Sequence, residues 1–197
     1  MSLDLTLHQD PIDLLLEWIA QSRTAGALRP MAMALATATL EGVPSVRMVI
    51  ARRVEAAGIT FYTDARSAKG RDLSANPRAA TTFYWAELSR AVRISGHVEI
   101  LPRSQVETFF AGYAPAIQRA LRISTQSAPL AHRRDLERAV AADAVAYPDR
   151  GPVAPHFIGY RLVPAEMEFW AEAADALHDR TLFTRHGDAW QIGALQP

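Results

Sequence analysis

The sequence contains no cysteine, no excess of basic residues and no long hydrophobic run. Without cysteine the chain can form neither disulfides nor thiolate–zinc sites, and it has no thiol nucleophile. Lys and Arg together number 21, as do Asp and Glu, so no overall positive charge attracts nucleic acid or anionic membranes. No apolar run approaches the roughly 20 residues that span a bilayer. Any anion-binding site must therefore be local.

The amino terminus carries acidic residues where a signal peptide carries a basic segment. We therefore expect a cytoplasmic protein with neither a membrane partner nor a nucleic-acid partner. A chain of 197 residues can bury its own core as one domain. We expect a single domain over residues 1–197, in which residues 1–9 form a flexible tail.

Two kinds of local pattern alternate along the chain. Asp10 and Pro11 predict a helix that stops at Gly26, and further helices are predicted at 67–77, 104–114 and 132–148. The third of these helices opens with the capping-box spacing of Ser104 and Glu107. Runs rich in Val, Ile, Thr and aromatic residues predict strands at 31–40, 44–52, 58–64, 80–86, 91–101, 156–164, 166–172, 180–185 and 189–195. Together these elements indicate an α+β fold built on an antiparallel β-barrel with surrounding helices.

Several motifs that carry well-known chemistry are absent from the sequence. It has no G-x-G-x-x-G, Walker loop, G-x-S-x-G or H-E-x-x-H motif. Its six histidines, at 8, 97, 132, 156, 178 and 186, show no tight ligand spacing. We expect no metal site.

The stretch FYTDARSAKG, residues 61–70, has the pattern of an anion pocket. A strand ends at Tyr62 and Thr63, and a helix begins near Ser67 with Lys69 in its first turn. Free backbone N–H groups, the helix dipole, a hydroxyl and an ammonium then point the same way. The same pattern is also typical of an ordinary strand-to-helix turn with an N-cap serine.

Two other polar features are ambiguous by themselves. Arg47 lies in a predicted strand beside the apolar Met48, Val49 and Ile50, so its charge needs an anionic partner, either an internal acid or a ligand. The polar run ISTQS, residues 123–127, can bind a phosphate or a heterocycle edge, or it can simply cap and turn the chain.

Taken together, these stretches resemble a known family. VRMVIAR, FYTDARSAKGRDLSANPRAATTFYW, STQS, EFW…LHDR and the ending AWQIGALQP are similar, in that order, to the pyridoxamine 5′-phosphate oxidase family over roughly residues 10–197. The resemblance implies an FMN-binding split barrel and a homodimer with FMN at the subunit interface. It also implies an oxidase in which a small-molecule substrate passes a hydride to FMN and O₂ takes the electrons, giving H₂O₂.

The resemblance further implies which residues contact FMN. Lys69 would pair with the FMN phosphate, and Gln126 and Ser127 would contact the cofactor from the partner subunit. The full set is Arg47, Met48, Val49, Ile50, Tyr62, Thr63, Lys69, Gln126, Ser127, Trp170 and Arg180. The chain departs from the family at two nearby positions, with Ala68 where an arginine is usual and Ala91 where a glutamine is usual.

The substrate side departs further from the family pattern. Family members offer a tyrosine, an arginine and a serine at four-residue spacing to the substrate phosphate, where this chain has Phe109, Tyr113 and Ile117. Ala176 stands where an arginine precedes LHDR, and Arg52 stands where a lysine closes the strand. These replacements predict an apolar, aromatic pocket for a flat ring without a phosphate.

His178 keeps its usual identity, and it is the predicted catalytic residue, which would orient the substrate or accept a proton. Arg52 is predicted to pair with a substrate carboxylate. Among relatives with modified pockets, the chain is most similar to the flavin oxidases of phenazine biosynthesis, which make secondary metabolites. Two alternatives stay open: a pyridoxine/pyridoxamine 5′-phosphate oxidase of vitamin B6 salvage, and a flavin-binding protein without turnover.

Overall fold

The computed structural model describes residues 10–197, so the predicted tail 1–9 lies outside the described residues. Within 10–197 the chain forms five α-helices and nine β-strands. The helices are α1 (Pro11–Thr24), α2 (Ala68–Ala75), α3 (Arg103–Ala111), α4 (Pro115–Ile123) and α5 (Arg133–Ala146). The strands are β1 (Ala32–Ala38), β2 (Pro44–Ile50), β3 (Arg53–Glu55), β4 (Gly58–Asp64), β5 (Arg78–Trp85), β6 (Arg90–Ile100), β7 (Phe157–Ala171), β8 (Asp179–His186) and β9 (Ala189–Ala194). In this part of the chain, no helix has both the length and the apolar character needed to cross a membrane.

All nine strands belong to one antiparallel sheet. Its main path runs β2-β1-β5-β6-β7-β4-β3, and β8 and β9 extend it from β7. The long strand β7 pairs with β6 on one side, while on its other side β4 takes the first half and β8 the second half. The sheet therefore divides at β7, and the predicted α+β class with an antiparallel sheet is confirmed.

Helix α1 covers the main core. The Asp10 carboxylate accepts a hydrogen bond from the N–H of Ile12 at 2.8 Å, which caps the helix start as predicted. Trp18 packs edge-on against Phe169 of β7 with ring centroids 5.1 Å apart. A second, smaller cluster joins α3 to the start of β7, and it contains Leu101, Val106, Phe110, Ala154 and Phe157. This smaller cluster lies beside the candidate site.

Two predicted strands form one element in the structure, and the short strand β3 was not predicted. The strands predicted at 156–164 and 166–172 are one strand, β7, which continues through Pro164. Proline lacks an N–H and is tolerated in a sheet next to a bulge. Pro164 pairs with Gly96, at which the register between β6 and β7 shifts. A Cβ on Gly96 would lie 2.0 Å from the Val163 carbonyl oxygen, so the glycine allows this close approach.

The helix predicted at 104–114 was wrong in its start, and α4 was missed. Pro102 is the N-cap of α3, and no side chain caps it. Ser104 lies inside the first turn, and Glu107 accepts a hydrogen bond from Arg103 at 3.1 Å instead of forming a capping box. Helix α4 begins at Pro115, which occupies the first-turn position where proline needs no N–H partner.

Candidate functional site

The turn between β4 and α2 forms the predicted anion pocket. Ser67 is the N-cap of α2, and its hydroxyl accepts a hydrogen bond from Gly70 N at 3.2 Å and donates one to Asp64 O at 2.7 Å. A Cβ on Gly70 would lie 2.4 Å from the Ala65 carbonyl oxygen. Only glycine fits there without a backbone shift, and this tight turn brings Lys69 to the end of β4.

Lys69 is the single lysine of the chain, and it is only 6% exposed. Its ammonium donates to the Gln126 side-chain oxygen at 2.9 Å, to the Thr63 hydroxyl at 3.0 Å and more weakly to the capping serine. All three acceptors are neutral. Burial and then the nearby charge of Arg47 lower the pKa of Lys69, against the opposing effect of Asp64. A buried ammonium among neutral acceptors is a good binding partner for an anion.

The segment 124–127 lies against the same turn. Gln126 reaches Lys69 and Thr63 of its own chain, so this contact needs no second subunit. The Ser127 hydroxyl accepts a hydrogen bond from Ala68 N at 3.3 Å. The structure thus brings the predicted Gln126 and Ser127 to the predicted Lys69.

Arg47 has internal partners. Its guanidinium donates to the Thr37 hydroxyl at 2.7 Å and to the Ser45 hydroxyl at 2.7 Å, and it lies 3.8 Å from the Asp72 carboxylate on α2. Burial lowers the pKa of Arg47, and Asp72 opposes that effect. The sequence allowed either an internal acid or a ligand as the partner of Arg47, and the structure shows an internal ion pair with Asp72. The charge of Arg47 also lies close enough to Lys69 to lower the pKa of Lys69.

We call the cavity beside Lys69 the lysine groove. Its volume is about 420 Å³. Its lining residues are Met48, Val49, Ile50, Arg52, Tyr62, Thr63, Asp64, Lys69, Tyr113, Leu121, Ser124, Gln126, His156 and Phe157. Seven of the predicted cofactor residues lie together there, along with the predicted substrate residue Arg52.

An adjoining cavity, the aromatic pocket, has a volume of about 600 Å³. Its lining residues are Arg52, Arg53, Glu55, Thr60, Tyr62, Ser104, Gln105, Thr108, Phe109, Gly112 and Tyr113. Arg52, Tyr62 and Tyr113 line both cavities. These three side chains therefore form the partition between the lysine groove and the aromatic pocket.

Stacked rings surround Arg52 at this partition. Phe109 lies parallel to Tyr62 with centroids 3.8 Å apart, and Tyr113 meets Phe109 edge-on at 5.1 Å. The Arg52 guanidinium lies 5.6 Å from the Phe109 ring centroid and 5.7 Å from that of Tyr113, and it donates to the Tyr113 hydroxyl at 3.2 Å. Burial raises the pKa of Tyr113, with Arg52 opposing. Ile117, on α4, is 46% exposed.

The remaining predicted residues form a separate group, with Trp170 on β7, Arg180 on β8 and His178 directly before β8. The His178 ring lies 5.0 Å from the Trp170 ring, and its Nδ1 accepts a hydrogen bond from Ala173 N at 3.2 Å. An accepting Nδ1 leaves the proton of the neutral ring on Nε2. Arg180 donates to the buried Glu168 carboxylate at 2.8 Å.

One chain does not bring these two groups together. Tyr62 pairs with Gly159, whereas Trp170, which pairs with Arg180, lies eleven residues further along β7. At about 3.3 Å a residue, this separation is roughly 36 Å of extended strand. None of Trp170, His178 and Arg180 lines the lysine groove or the aromatic pocket.

Sequence reasoning missed Asp64 and His156, which line the groove, and Arg66, which pairs with Asp64. Asp64 is buried and ion-paired with Arg66, and His156 lies 3.9 Å from the same carboxylate. Burial acts to raise the pKa of Asp64, but hydrogen bonds from Arg66 and Gln126 outweigh it, and the pKa is lowered. An acid at the end of a buried strand was the available signal. Within residues 10–197, no group of three or more His, Cys, Asp or Glu side chains could hold a metal ion.

Comparison with known proteins gives consistent results over almost the whole chain. Residues 24–171 match the family described as pyridoxamine 5′-phosphate oxidase, and residues 157–197 match the pyridoxine 5′-phosphate oxidase C-terminal dimerisation region. A pyridoxine/pyridoxamine 5′-phosphate oxidase of Anaeromyxobacter dehalogenans is 41% identical over 189 residues, covering 95% of this chain and 96% of the relative. The corresponding protein of Burkholderia lata is 39% identical over 191 residues, covering 95% of this chain and 89% of the relative.

Solved structures show the same fold. PhzG from Burkholderia lata 383, in complex with tetrahydrophenazine-1-carboxylic acid, is 37% identical and has a TM-score of 0.92, covering 97% of this chain and 94% of PhzG. A pyridoxamine 5′-phosphate oxidase-related, FMN binding protein from Nostoc punctiforme, at 16% identity, has a TM-score of 0.78 and covers 97% of this chain and 100% of its own. The predicted split-barrel fold is confirmed.

Proposed function

The chain belongs to the pyridoxamine 5′-phosphate oxidase family of FMN-dependent oxidases, and from that premise we propose that it oxidises a partly reduced ring acid of the phenazine type. The proposed substrate carries a carboxylate and no phosphate. The observation that carries this proposal is the cation at the partition, where Arg52 lies over two aromatic rings. The tetrahydrophenazine-1-carboxylic acid bound by PhzG belongs to the same chemical class.

The lysine groove fits FMN by the chemistry of its side chains. We assign the phosphate end to Lys69, Thr63, Gln126 and Ser127, because a phosphate would give the buried ammonium an anionic partner. Arg47 contributes positive charge beside Lys69. FMN held there would supply the redox chemistry, as acceptor of a hydride from the substrate and donor of the electrons to O₂, with H₂O₂ as the product.

The apolar part of the groove suits the flat flavin ring. Met48, Val49 and Ile50 line it from β2, and Tyr62 lines it from β4. Aromatic and aliphatic surfaces stack well on extended π-systems. We assign these four residues to the ring, where they would also exclude water from the reacting face.

A homodimer would complete the site. The match of residues 157–197 to a dimerisation region supports dimer formation, and Trp170, His178 and Arg180 lie in that region. They do not line the lysine groove of the same chain, from which up to roughly 36 Å of strand separates them. We therefore propose that FMN binds at the interface, between the lysine groove of one chain and Trp170 and Arg180 of the other.

Charge and shape at the partition favour a ring carboxylate as the substrate. Arg52 offers one cation for one carboxylate, and Phe109 and Tyr113 offer flat apolar contact. His178, with its Nε2 proton facing away from the Ala173 backbone, would orient the substrate or exchange a proton with it.

The curated relatives favour a second candidate, oxidation of pyridoxine or pyridoxamine 5′-phosphate. The residues at the expected phosphate contacts argue against it. A hydrogen bond to a charged group contributes about 1.5–3 kcal/mol, so losing several weakens binding by roughly three or more orders of magnitude. Phe109 and Ala176 offer no donor to replace them. A flavin-binding protein without turnover is the third candidate.

Anaerobic reduction separates the three candidates. Protein loaded with FMN would be titrated without oxygen with pyridoxamine 5′-phosphate and, separately, with a dihydrophenazine carboxylic acid, while the flavin absorbance band is followed. We expect rapid bleaching by the ring acid and recovery of the band in air. Bleaching by pyridoxamine 5′-phosphate alone would replace our proposal with the vitamin B6 activity. No bleaching by either donor would favour the flavin-binding protein without turnover.

Two further measurements test the role of the carboxylate. The carboxamide of the ring acid should reduce the flavin much more slowly at the same concentration than the acid does. Arg52→Met should slow the acid without slowing the carboxamide, because only the acid loses an ion pair. Equal effects on both donors would show that Arg52 does not bind the carboxylate.

A further inference from the structure

An ion pair holds the segment 124–127 against the first turn of α2. The Arg66 Nε donates to the two carboxylate oxygens of Asp64 at 3.0 and 3.3 Å, and the NH2 group donates to one of them at 2.8 Å. The same NH2 group also donates to the Ser124 carbonyl at 2.8 Å, and Gln126 N donates to the Asp64 carboxylate at 3.3 Å. Both members of the pair therefore bind the segment.

The pair differs from an ordinary surface ion pair. The Asp64 side chain is 8% exposed, whereas the Arg66 side chain is 41% exposed. A buried carboxylate that loses its cation is left uncompensated, so such a pair is much more costly to break than an exposed pair. The forked contact also fixes the direction of the guanidinium.

The conformation of the segment depends on support from its surroundings. Ser127 has φ of +70°, a left-handed value that residues other than glycine rarely adopt. Its hydroxyl accepts from Ala68 N, and the preceding Gln126 side chain reaches Lys69. Removing Arg66 would remove the hydrogen bond to the Ser124 carbonyl, and it would leave the Asp64 carboxylate, which accepts from Gln126 N, without the guanidinium that orients it.

Arg66 could instead bind a phosphate directly, because Ala68 stands where the family usually has an arginine. Its geometry argues against that role. The guanidinium already serves the Asp64 carboxylate and the Ser124 carbonyl, and the ion pair has no net charge to offer an anion.

We propose that Arg66, through its ion pair with Asp64, is a positioning residue for the cofactor site, because it holds the segment 124–127 where Gln126 and Ser127 face Lys69. Its effect on FMN rests on the proposed function. The effect of Arg66 on the segment 124–127 does not depend on the proposed function, because all of these contacts lie within one chain.

Hydrogen–deuterium exchange of the apoprotein tests the structural part. We expect the Gln126 amide and its neighbours in 124–128 to exchange faster in Arg66→Ala, while β4 and α2 keep their protection. Arg66→Lys retains the charge without the fork and should restore part of the protection. Arg133→Ala, which removes an exposed ion pair with Glu137 on α5, is the matched control and should leave 124–128 unchanged.

Flavin binding tests the functional part. FMN affinity should fall roughly tenfold or more in Arg66→Ala, and riboflavin, which has no phosphate, should lose less. Unchanged hydrogen–deuterium exchange together with unchanged FMN affinity would overturn the proposal. Faster exchange throughout β4 and α2 would also overturn it, because Arg66 would then support the fold in general. If FMN bound neither the parent protein nor the variant, the proposed function would fail while the exchange result still decided the role of Arg66 in the segment.

Discussion

Replacing Lys69 by methionine should separate the binding of FMN from that of riboflavin. The Lys69 ammonium is buried among neutral acceptors, and methionine has a similar length without the charge. In the proposed complex the ammonium gains the FMN phosphate. A hydrogen bond to a charged group contributes about 1.5–3 kcal/mol, so FMN should bind roughly 10- to 150-fold more weakly to the variant. Riboflavin should bind both proteins alike.

The assay is a fluorescence-quenching titration of the apoproteins with FMN and with riboflavin. Arg133→Met on α5 is the control, because it removes one positive charge from an exposed site away from the groove. An equal loss of affinity for both flavins would mean that Lys69 supports the ring or the fold. No loss for either flavin would refute its assignment to the phosphate.

The single lysine also allows a direct test by pH titration. Labelling with [ε-¹³C]lysine gives one side-chain signal, from Lys69. Burial lowers the pKa of Lys69 in the apoprotein. The apoprotein should therefore gain stability as the pH rises from this lowered value towards the ordinary value of about 10.4. A phosphate favours the charged lysine, so FMN should raise the pKa of Lys69, and FMN affinity should fall as the pH rises through the apoprotein value. A pKa that does not rise when FMN binds would contradict the assignment.

Three further substitutions test other parts of the structure. Gly70→Ala places a Cβ 2.4 Å from a backbone carbonyl oxygen and should lower the free energy of unfolding in urea by about 1–3 kcal/mol. An unchanged urea midpoint would mean that the turn can accommodate a Cβ. Arg52→Met should raise KM for the ring acid about tenfold with a smaller change in kcat, and an unchanged KM would remove Arg52 from substrate binding. Asp143→Ala leaves the buried Arg122 without its carboxylate and should lower the free energy of unfolding by about 1–3 kcal/mol. Arg133→Ala, which breaks an exposed ion pair, should change the free energy of unfolding by less than about 1 kcal/mol. Equal effects of the two substitutions would contradict the difference in burial between the two pairs.

Local sequence signals predicted most of the elements because their causes are local. The Asp10 cap and the Ser67 cap depend on neighbours within three residues. The continuity of β7 through Pro164 depends on Gly96 of another strand, and nothing near Pro164 reveals that pairing. A proline that starts a helix and a proline that breaks one also look alike in sequence, so α4 was not predicted from Pro115.

The candidate site shows the same division between local and distant causes. The anion pocket could be predicted, since Thr63, Ser67 and Lys69 are close in sequence. The contact of Gln126 with Lys69 joins residues 57 positions apart, and only the family resemblance placed both at the cofactor. The pairing of Arg47 with Asp72 was open among 21 acids until the fold packed α2 on β1, the strand that pairs with β2.

The division of the sheet at β7 links the proposed chemistry to dimer formation. Residues 157–197, which match a dimerisation region, contain Trp170, His178 and Arg180. The first half of β7 pairs with β4, which leads into the lysine groove, and the second half pairs with β8, which carries Arg180. In the proposed dimer, the segment that joins the two chains also supplies the second side of each FMN site. Contacts that hold the two chains together would therefore also set the position of His178 relative to Arg52 of the other chain. The orientation of the substrate would then depend on the interface as well as on the fold of each chain.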